Sequence, residues 1–337
     1  MAKLKDKQSV EDEIDLKEEL AKFRARKADV ERRRKLSEQE ANRKRPSSPL
    51  RLLNVWLEKV RKTSIGYGLP DKLILLEIAF LESVPAVIRR RHRAIDPWIA
   101  SFRETLYSKL KIKLGGTIYI IRDSESLRII DPKFEPFMLQ WLQLKPGGVF
   151  VDIGAHIGKH AIAVSKIVGD KGLVVAIEAI PANFGALKKN IELNKLRNVA
   201  AFNFAAWKEK GALQFRVGST SANANISRYN YGYGTVEVQA ERPDKLLLDE
   251  LNLGRVDWIK IDVEGAEYEA LLGLEETIGK FKPKLFVEVW SQNMGKVKAL
   301  LKRHGYKIVR FSEFGEANAQ FYVEVLCVSG YLASGST

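Results

Sequence analysis

From about residue 113 onward, apolar residues fall in short runs rich in Val, Ile, Leu and Phe, and between them lie stretches whose apolar positions recur every three or four residues. The runs Thr117–Ile121, Val149–Ile153, Leu173–Ile177, Ala200–Phe204, Val256–Ile261 and Leu285–Val289 are predicted strands, and 134–144 is a predicted helix ahead of the Gly147-Gly148 turn. Strands alternating with helices call for a mostly parallel sheet covered on both faces. Two last strands, Tyr306–Phe311 and Gln320–Val328, are joined by too short a loop for a parallel crossover and are therefore antiparallel.

Upstream the rhythm is different. Residues 1–46 are dominated by Lys, Arg, Glu and Asp, with apolar residues too sparse to cover a helix face, so the segment reads as a charged solvated helix or a disordered arm. Pro46 and Pro49 mark its end. Residues 47–112 have helical periodicity, carried by Leu52, Leu53, Trp56, Leu57 and Val60 and by the apolar run Leu73–Ile88. The catalytic domain is placed at 113–330, with a flexible tail at 331–337.

Composition narrows the class. A single cysteine, Cys327, excludes a disulfide framework and a cysteine-ligated metal site, and a reducing, cytoplasmic setting follows. No secretory signal is read at the N-terminus, and the run Leu73–Ile88, interrupted by Glu77, Glu82 and Pro85, is too short to span a bilayer. The net charge of +14 points either to an anionic partner or to heat-adapted charge networks. The cluster Arg89, Arg90, Arg91, His92 and Arg93 reads first as a solvated helix end and second as a phosphate-binding patch.

The candidate chemistry begins at Val149–Gly158, where an apolar strand ends at Asp152 and enters a turn with Gly154 and Gly158. In open α/β sheets ligands bind beyond the carboxyl ends of the strands. Gly154 is expected to let the backbone approach a ligand and Gly158 to let the following helix start close to the sheet. On this reading Gly154→Val blocks cofactor access and leaves the fold largely intact. The Gly-x-x-x-Gly spacing departs from the dinucleotide pattern, so a pyrophosphate is not the favoured ligand. The second strand ends at Glu178, placed to accept hydrogen bonds from both ribose hydroxyls of an adenosyl cofactor, and Pro181-Ala182-Asn183-Phe184, which open a helix that includes Leu187, Asn190, Ile191 and Asn194, are expected to flank ribose and adenine.

These residues resemble the FkbM family of S-adenosylmethionine-dependent methyltransferases. The resemblance covers about residues 113–330 and rests on Val151–Gly158, on Ile177-Glu178-Ala179-Ile180-Pro181, on Asn190 with Asn194, and above all on Ile259-Lys260-Ile261-Asp262-Val263-Glu264-Gly265-Ala266-Glu267 with Glu288 closing the next strand. It implies a Rossmann-like seven-stranded methyltransferase sheet, mostly parallel with one antiparallel strand, behind a helical N-terminal extension. It implies S-adenosyl-L-methionine as cofactor, contacted by Asp152, Gly154, Ala155, His156, Gly158, Glu178, Ala179, Pro181 and Asp262.

The resemblance also implies a hydroxyl acceptor, on a glycan or related small molecule. The chain has no Asn/Asp-Pro-Pro-Tyr loop of the kind with which amino-directed methyltransferases grip a nitrogen. Asp262 and Glu264, beside the expected methyl position, are candidates for proton acceptor or acceptor orientation, and Asp262 also for holding the cofactor's amino group. For Glu264 the competing reading is a cap on the next helix. His156 stands where the family usually carries Asn; a hydrogen-bonding replacement is favoured over a base, and His160 is read as packed. No metal site is expected. The loop Gly218–Asn225, with Tyr229, Tyr231 and Tyr233 after it, is either a substrate loop or a plain hairpin. The competing functions are an RNA methyltransferase using the basic arm and the arginine cluster, and a non-catalytic interaction protein.

Overall fold

The computed structural model describes residues 65–83, 96–134, 137–218, 221, 224–225, 234–317 and 320–329, all within Lys59–Thr337. The charged arm 1–46, the arginine cluster 89–93, the three tyrosines after Asn225 and the tail 331–337 lie outside the described residues.

Two helices, α1 (Leu69–Ser83) and α2 (Asp96–Tyr107), precede an antiparallel hairpin of β1 (Lys111–Leu114) and β2 (Thr117–Ile120). Short helices α3 (Ser124–Ile130) and α4 (Phe137–Trp141) follow. The main sheet then begins: β3 (Val149–Ile153), α5 (Lys159–Val168), β4 (Leu173–Ile177), α6 (Pro181–Leu193) and β5 (Val199–Phe202). A four-stranded insertion consists of β6 (Ala205–Ala206), β7 (Gly211–Val217), β8 (Ala224–Asn225) and β9 (Thr235–Glu241), and a π-helical turn at Lys245–Glu250 leads on. The chain closes with β10 (Trp258–Ile261), α7 (Glu267–Leu272), α8 (Glu275–Phe281), β11 (Lys284–Trp290), α9 (Met294–Arg303), β12 (Tyr306–Ala317) and β13 (Gln320–Ser329).

The main sheet runs β12-β13-β11-β10-β3-β4-β5. β11, β10, β3, β4 and β5 are mutually parallel, and β13 runs antiparallel to both of its neighbours. This is the mostly parallel sheet expected from the alternation of strands and helices, with the seven strands that the resemblance implied. Strand order reverses between β3 and β10, and ligands bind beyond the strand ends at such a reversal.

Side-chain alternation builds a core on each face, as the two-residue period of a strand requires. Val149, Val151, Ile153, Val175, Ile177, Ile259, Ile261, Leu285, Val287 and Val289 point to one face, where helices α7, α8 and α9 cover them through Ala270, Leu271, Ile278, Val297, Leu300 and Leu301. Phe150, Val174, Ala176, Trp258 and Phe286 point to the other, against Met138, Ala161, Val164, Val168, Leu187 and Ile191. Burial on both faces explains why these strands read as continuous apolar runs.

The hairpin is fastened to the main domain by two asparagines. Asn190 on α6 accepts from the amide of Ile120 at 2.6 Å and donates to its carbonyl at 3.1 Å. Asn194 treats Ile118 in the same way, at 2.9 and 2.6 Å. Each amide group thus imitates a strand partner for alternate residues of β2. Asn190 and Asn194, part of the resemblance, therefore bind backbone here. The residues of α1 and α2 join the same cluster: Leu75, Ile78 and Leu106 pack with Ile112, Tyr119, Ile157, Ile162 and Ala186.

Candidate functional site

The turn after β3 has the backbone of a ligand-binding loop. Gly154 and Gly158 have φ of 80° and 97°, and His156 between them has φ of 51°. Positive φ is unusual for a side chain other than Asn, Asp or Gly, and histidine is among the residues enriched there. That agrees with His156 standing in for an asparagine. Gly154 sits against the opposite loop: a Cβ on it would lie 1.7 Å from the carbonyl oxygen of Asp262. The expectation that Gly154→Val spares the fold is thereby corrected, since the added atoms would displace the Asp262 backbone before reaching any ligand. Gly158 is packed against helix side chains, for its added Cβ would meet Leu187 at 2.7 Å and Ile162 at 3.3 Å.

Glu178, at the end of β4, is buried and joins three pieces of chain. One carboxylate oxygen accepts from the amide of His156 at 2.8 Å, and the other accepts from the amide of Ile180 at 2.9 Å and from Asn183 at 3.4 Å. Burial pushes its carboxyl up, and these bonds oppose the shift. Ala179 and Pro181 flank it, Pro181 at the first turn of α6, where a missing N–H costs nothing.

Asn183 continues the network away from Glu178. It donates to the carbonyl of Ser221 at 3.1 Å and accepts from Arg122. Ser221 in turn binds Asp123 through its amide at 2.5 Å and its hydroxyl at 2.9 Å, and Ser126 binds the same carboxylate at 2.8 and 2.7 Å. Burial alone would raise Asp123, but these four bonds outweigh it and hold the carboxyl below its usual range. Arg122 and Asp123 were not among the residues read from the sequence, whereas Asn183 was placed at the ribose and adenine and Ser221 in a candidate substrate loop. All four come together from distant segments.

The ring nitrogens of His156 are buried without a hydrogen-bond partner. Burial takes its pKa down to about 4, so the ring is neutral near pH 7. His160 is buried as well, held well below the usual value by burial and by the charges of Lys260 and Lys159.

At the end of β10, carboxylate oxygens of Asp262, Glu264 and Glu288 come within 4.8 Å of one another. Such a trio has the spacing of a cation site, where the sequence reading expected none, and Lys260 already brings an ammonium 3.1 Å from Asp262. Glu264 has φ of 51° and Gly265 of 101°. The turn is bracketed by buried side chains: Glu267 accepts from the Gly265 amide at 2.7 Å, and Asn293 donates to the Gly265 carbonyl at 2.8 Å and to Glu267 at 2.6 Å. The cap position of α7 is Ala266, without a side-chain cap, so Glu264 is not the cap of that helix.

Asp152 is fully buried at the end of β3, and its charge is met by the Lys260 ammonium at 3.6 Å. The buried ring nitrogens of His156, without a partner, are polar atoms that a ligand group could satisfy. The residues present fit S-adenosylmethionine: a carboxylate for ribose hydroxyls at Glu178, and acids for an amino group at Asp152 and Asp262.

Comparison with known proteins agrees. Residues 152–308 match the family model described as the methyltransferase FkbM domain. A protein of Beauveria bassiana named "Methyltransferase 1" is 25% identical over 179 residues, 47% of this chain and 72% of that protein. A protein-L-isoaspartate O-methyltransferase of Methanococcus maripaludis is 29% identical over 201 residues, 59% of this chain and 80% of that protein. Among solved structures, the methyltransferase FkbM of Methylobacillus flagellatus superposes with a TM-score of 0.40 at 13% identity, over 82% of this chain and 59% of that one. With the family match laid over the seven-stranded sheet, the chain is similar to S-adenosylmethionine-dependent methyltransferases, and its residues 152–308 match their FkbM domain.

Proposed function

We propose that this chain is a methyltransferase that acts on a hydroxyl oxygen of a glycan or related small acceptor that is uncharged or cationic where it meets the site. The observation that carries the reading is the carboxylate trio Asp262, Glu264 and Glu288 at the strand end facing the cofactor turn. A hydroxyl loses its proton as the methyl arrives, and a carboxylate within hydrogen-bond reach can take it. Glu264 is the candidate base, fixed by the Glu267–Asn293 bracket. Asp262 orients the acceptor or holds the donor's amino group. His156 is neutral at pH 7, its ring nitrogens are without a partner, and its backbone amide ties the turn to Glu178.

The donor lies along Asp152, Gly154, Ala155, His156 and Gly158, with its ribose at Glu178 beside Ala179 and Pro181. S-adenosylmethionine supplies the methyl group, and the protein supplies in-line placement of the acceptor oxygen, which accounts for much of the rate in such transfers. Three acids at the acceptor end disfavour a polyanion. The net charge of +14 therefore speaks less for RNA than it does alone. No helix among the described residues is long and apolar enough to cross a membrane, and we place the reaction in the cytoplasm.

Mass spectrometry of cell extracts incubated with isotopically labelled S-adenosylmethionine and this protein tests the reading. Label in an ether-linked methyl on a neutral or cationic glycan or small hydroxylated molecule is the expected result. Label recovered in RNA or on nitrogen overturns it.

A further inference from the structure

We infer that Lys260 is a positioning residue for the methyl donor, its buried ammonium holding Asp262, the carbonyl of Gly154 and Asp152 in one arrangement. The inference rests on the reading that Asp152 and Asp262 face the donor. Lys260 lies in β10 directly opposite Asp152 of β3 in the sheet register, and its side chain is 2% exposed. Its Nζ lies 3.1 Å from Asp262, 3.4 Å from the Gly154 carbonyl and 3.6 Å from Asp152. A lysine this deep is expected to lose its charge to desolvation. Here burial does pull it down, but the charges of Asp262, Asp152 and Glu288 more than reverse the effect, and the ammonium is held above its usual range.

The geometry gives this cation a task beyond packing. The two loops that must grip the donor, after β3 and after β10, belong to neighbouring strands, and Lys260 binds a group from each. Asp152 and Asp262 repel one another, and burial already raises Asp152. Without an ammonium between them, one of the acids would hold a proton near neutral pH or turn away. Asp262 keeps a quarter of its side chain exposed while bound to Lys260 at its inner end, so it remains open to the cleft. The other charged or titratable groups sensing Lys260 are Glu288 on β11, Glu178 after β4, His156 in the turn, and His160 at the start of α5. Both histidines are held neutral, which leaves carboxylates as the groups that titrate around it.

The test is calorimetric affinity for S-adenosylmethionine between about pH 5.5 and 8.5, in the parent, Lys260→Met, Lys260→Arg and Asp262→Asn. The parent is expected to bind with little pH dependence above about pH 6. Lys260→Met should lose about tenfold or more at pH 7 and recover part of it toward the alkaline end, since one unit of carboxylate shift is a tenfold change in ionisation. Lys260→Arg should keep the parent's profile. Affinity lowered by one factor at every pH in Lys260→Met, or not lowered at all, overturns the inference by leaving only a packing role. If Lys260→Met does not fold, Lys260→Arg decides, because an acid limb moved upward despite the retained charge also overturns it. Parent-like donor affinity in Asp262→Asn beside a shifted profile in Lys260→Met would strike the donor-site reading and not the coupling to Lys260.

Discussion

The carbonyl oxygen of Asp262 stands where a side chain on Gly154 would begin, 1.7 Å from the position of its Cβ. The cofactor turn and the acidic loop are therefore in backbone contact before any ligand binds. Gly154→Ala is expected to lower stability by about 3 kcal/mol or more, through the clash and the φ of 80° together. Thermal unfolding checks this, and a melting temperature equal to the parent's would refute the contact.

Glu178 binds two loop amides and, on the proposed reading, accepts the ribose hydroxyls. Glu178→Gln keeps the volume and loses the charge, and is expected to weaken S-adenosylmethionine by about 1.5–3 kcal/mol, the range for hydrogen bonds to a charged group. Glu178→Ala should add loop disorder to that loss. Calorimetry is the measurement, and an unchanged affinity in both variants would misplace the ribose.

Asp262→Asn and Glu264→Gln separate donor binding from proton removal. If Glu264 is the base, Glu264→Gln should bind the donor normally and turn over about a hundred- to ten-thousand-fold more slowly. Asp262→Asn should instead weaken donor binding. Full turnover in both, once an acceptor is in hand, would remove these acids from the chemistry.

Asn190 and Asn194 hold the hairpin. Replacing either with Leu should cost about 1–3 kcal/mol for the backbone groups of β2 left without partners. Donor affinity should stay near the parent's. Hydrogen exchange at the amides of Ile118 and Ile120 is the direct readout, and protection equal to the parent's would contradict the assignment.

Glu267 supplies a pH dependence. Burial raises its pKa from 4.5 to about 7. The folded protein then binds more protons than the unfolded chain between those values, so this group's contribution to stability declines as pH rises through that window and levels off above it. The decline is about 3 kcal/mol at 1.36 kcal/mol per unit. Melting curves should show the parent losing stability relative to Glu267→Gln as pH rises from about 4.5 to 7; a pH-independent difference would contradict it.

Much of the site was legible because acids and glycines end apolar runs. A strand that closes on Asp152, Glu178 or Asp262 announces its own carboxyl edge, and parallel strands bring such edges together. The insertion β7–β9 was not legible. Thr235–Glu241 alternates, with Val238 and Ala240 buried on one face and the other face exposed, but the residues before it were read as a loop. Within the predicted 134–144 helix the structure describes Phe137–Trp141, with residues 135–136 outside the described residues.

By itself, the sequence determined the doubly covered parallel sheet, the antiparallel finish and the identity of the acids at the strand ends, because period-two burial and turn chemistry are local properties of the chain. Only the tertiary structure decided what those residues touch. Asn190 and Asn194 have the same spacing whether they serve a ligand or a strand, and β2 lies about 70 residues away from them along the chain. Asp123 and Ser221, which share a carboxylate, are 98 positions apart. Lys260 reads as one more residue of a strand until β3 is laid beside it, and then it is the cation between two acids. Hydrogen bonds and ion pairs act over a few ångströms of space and not along the chain, so the fold alone assigns their partners.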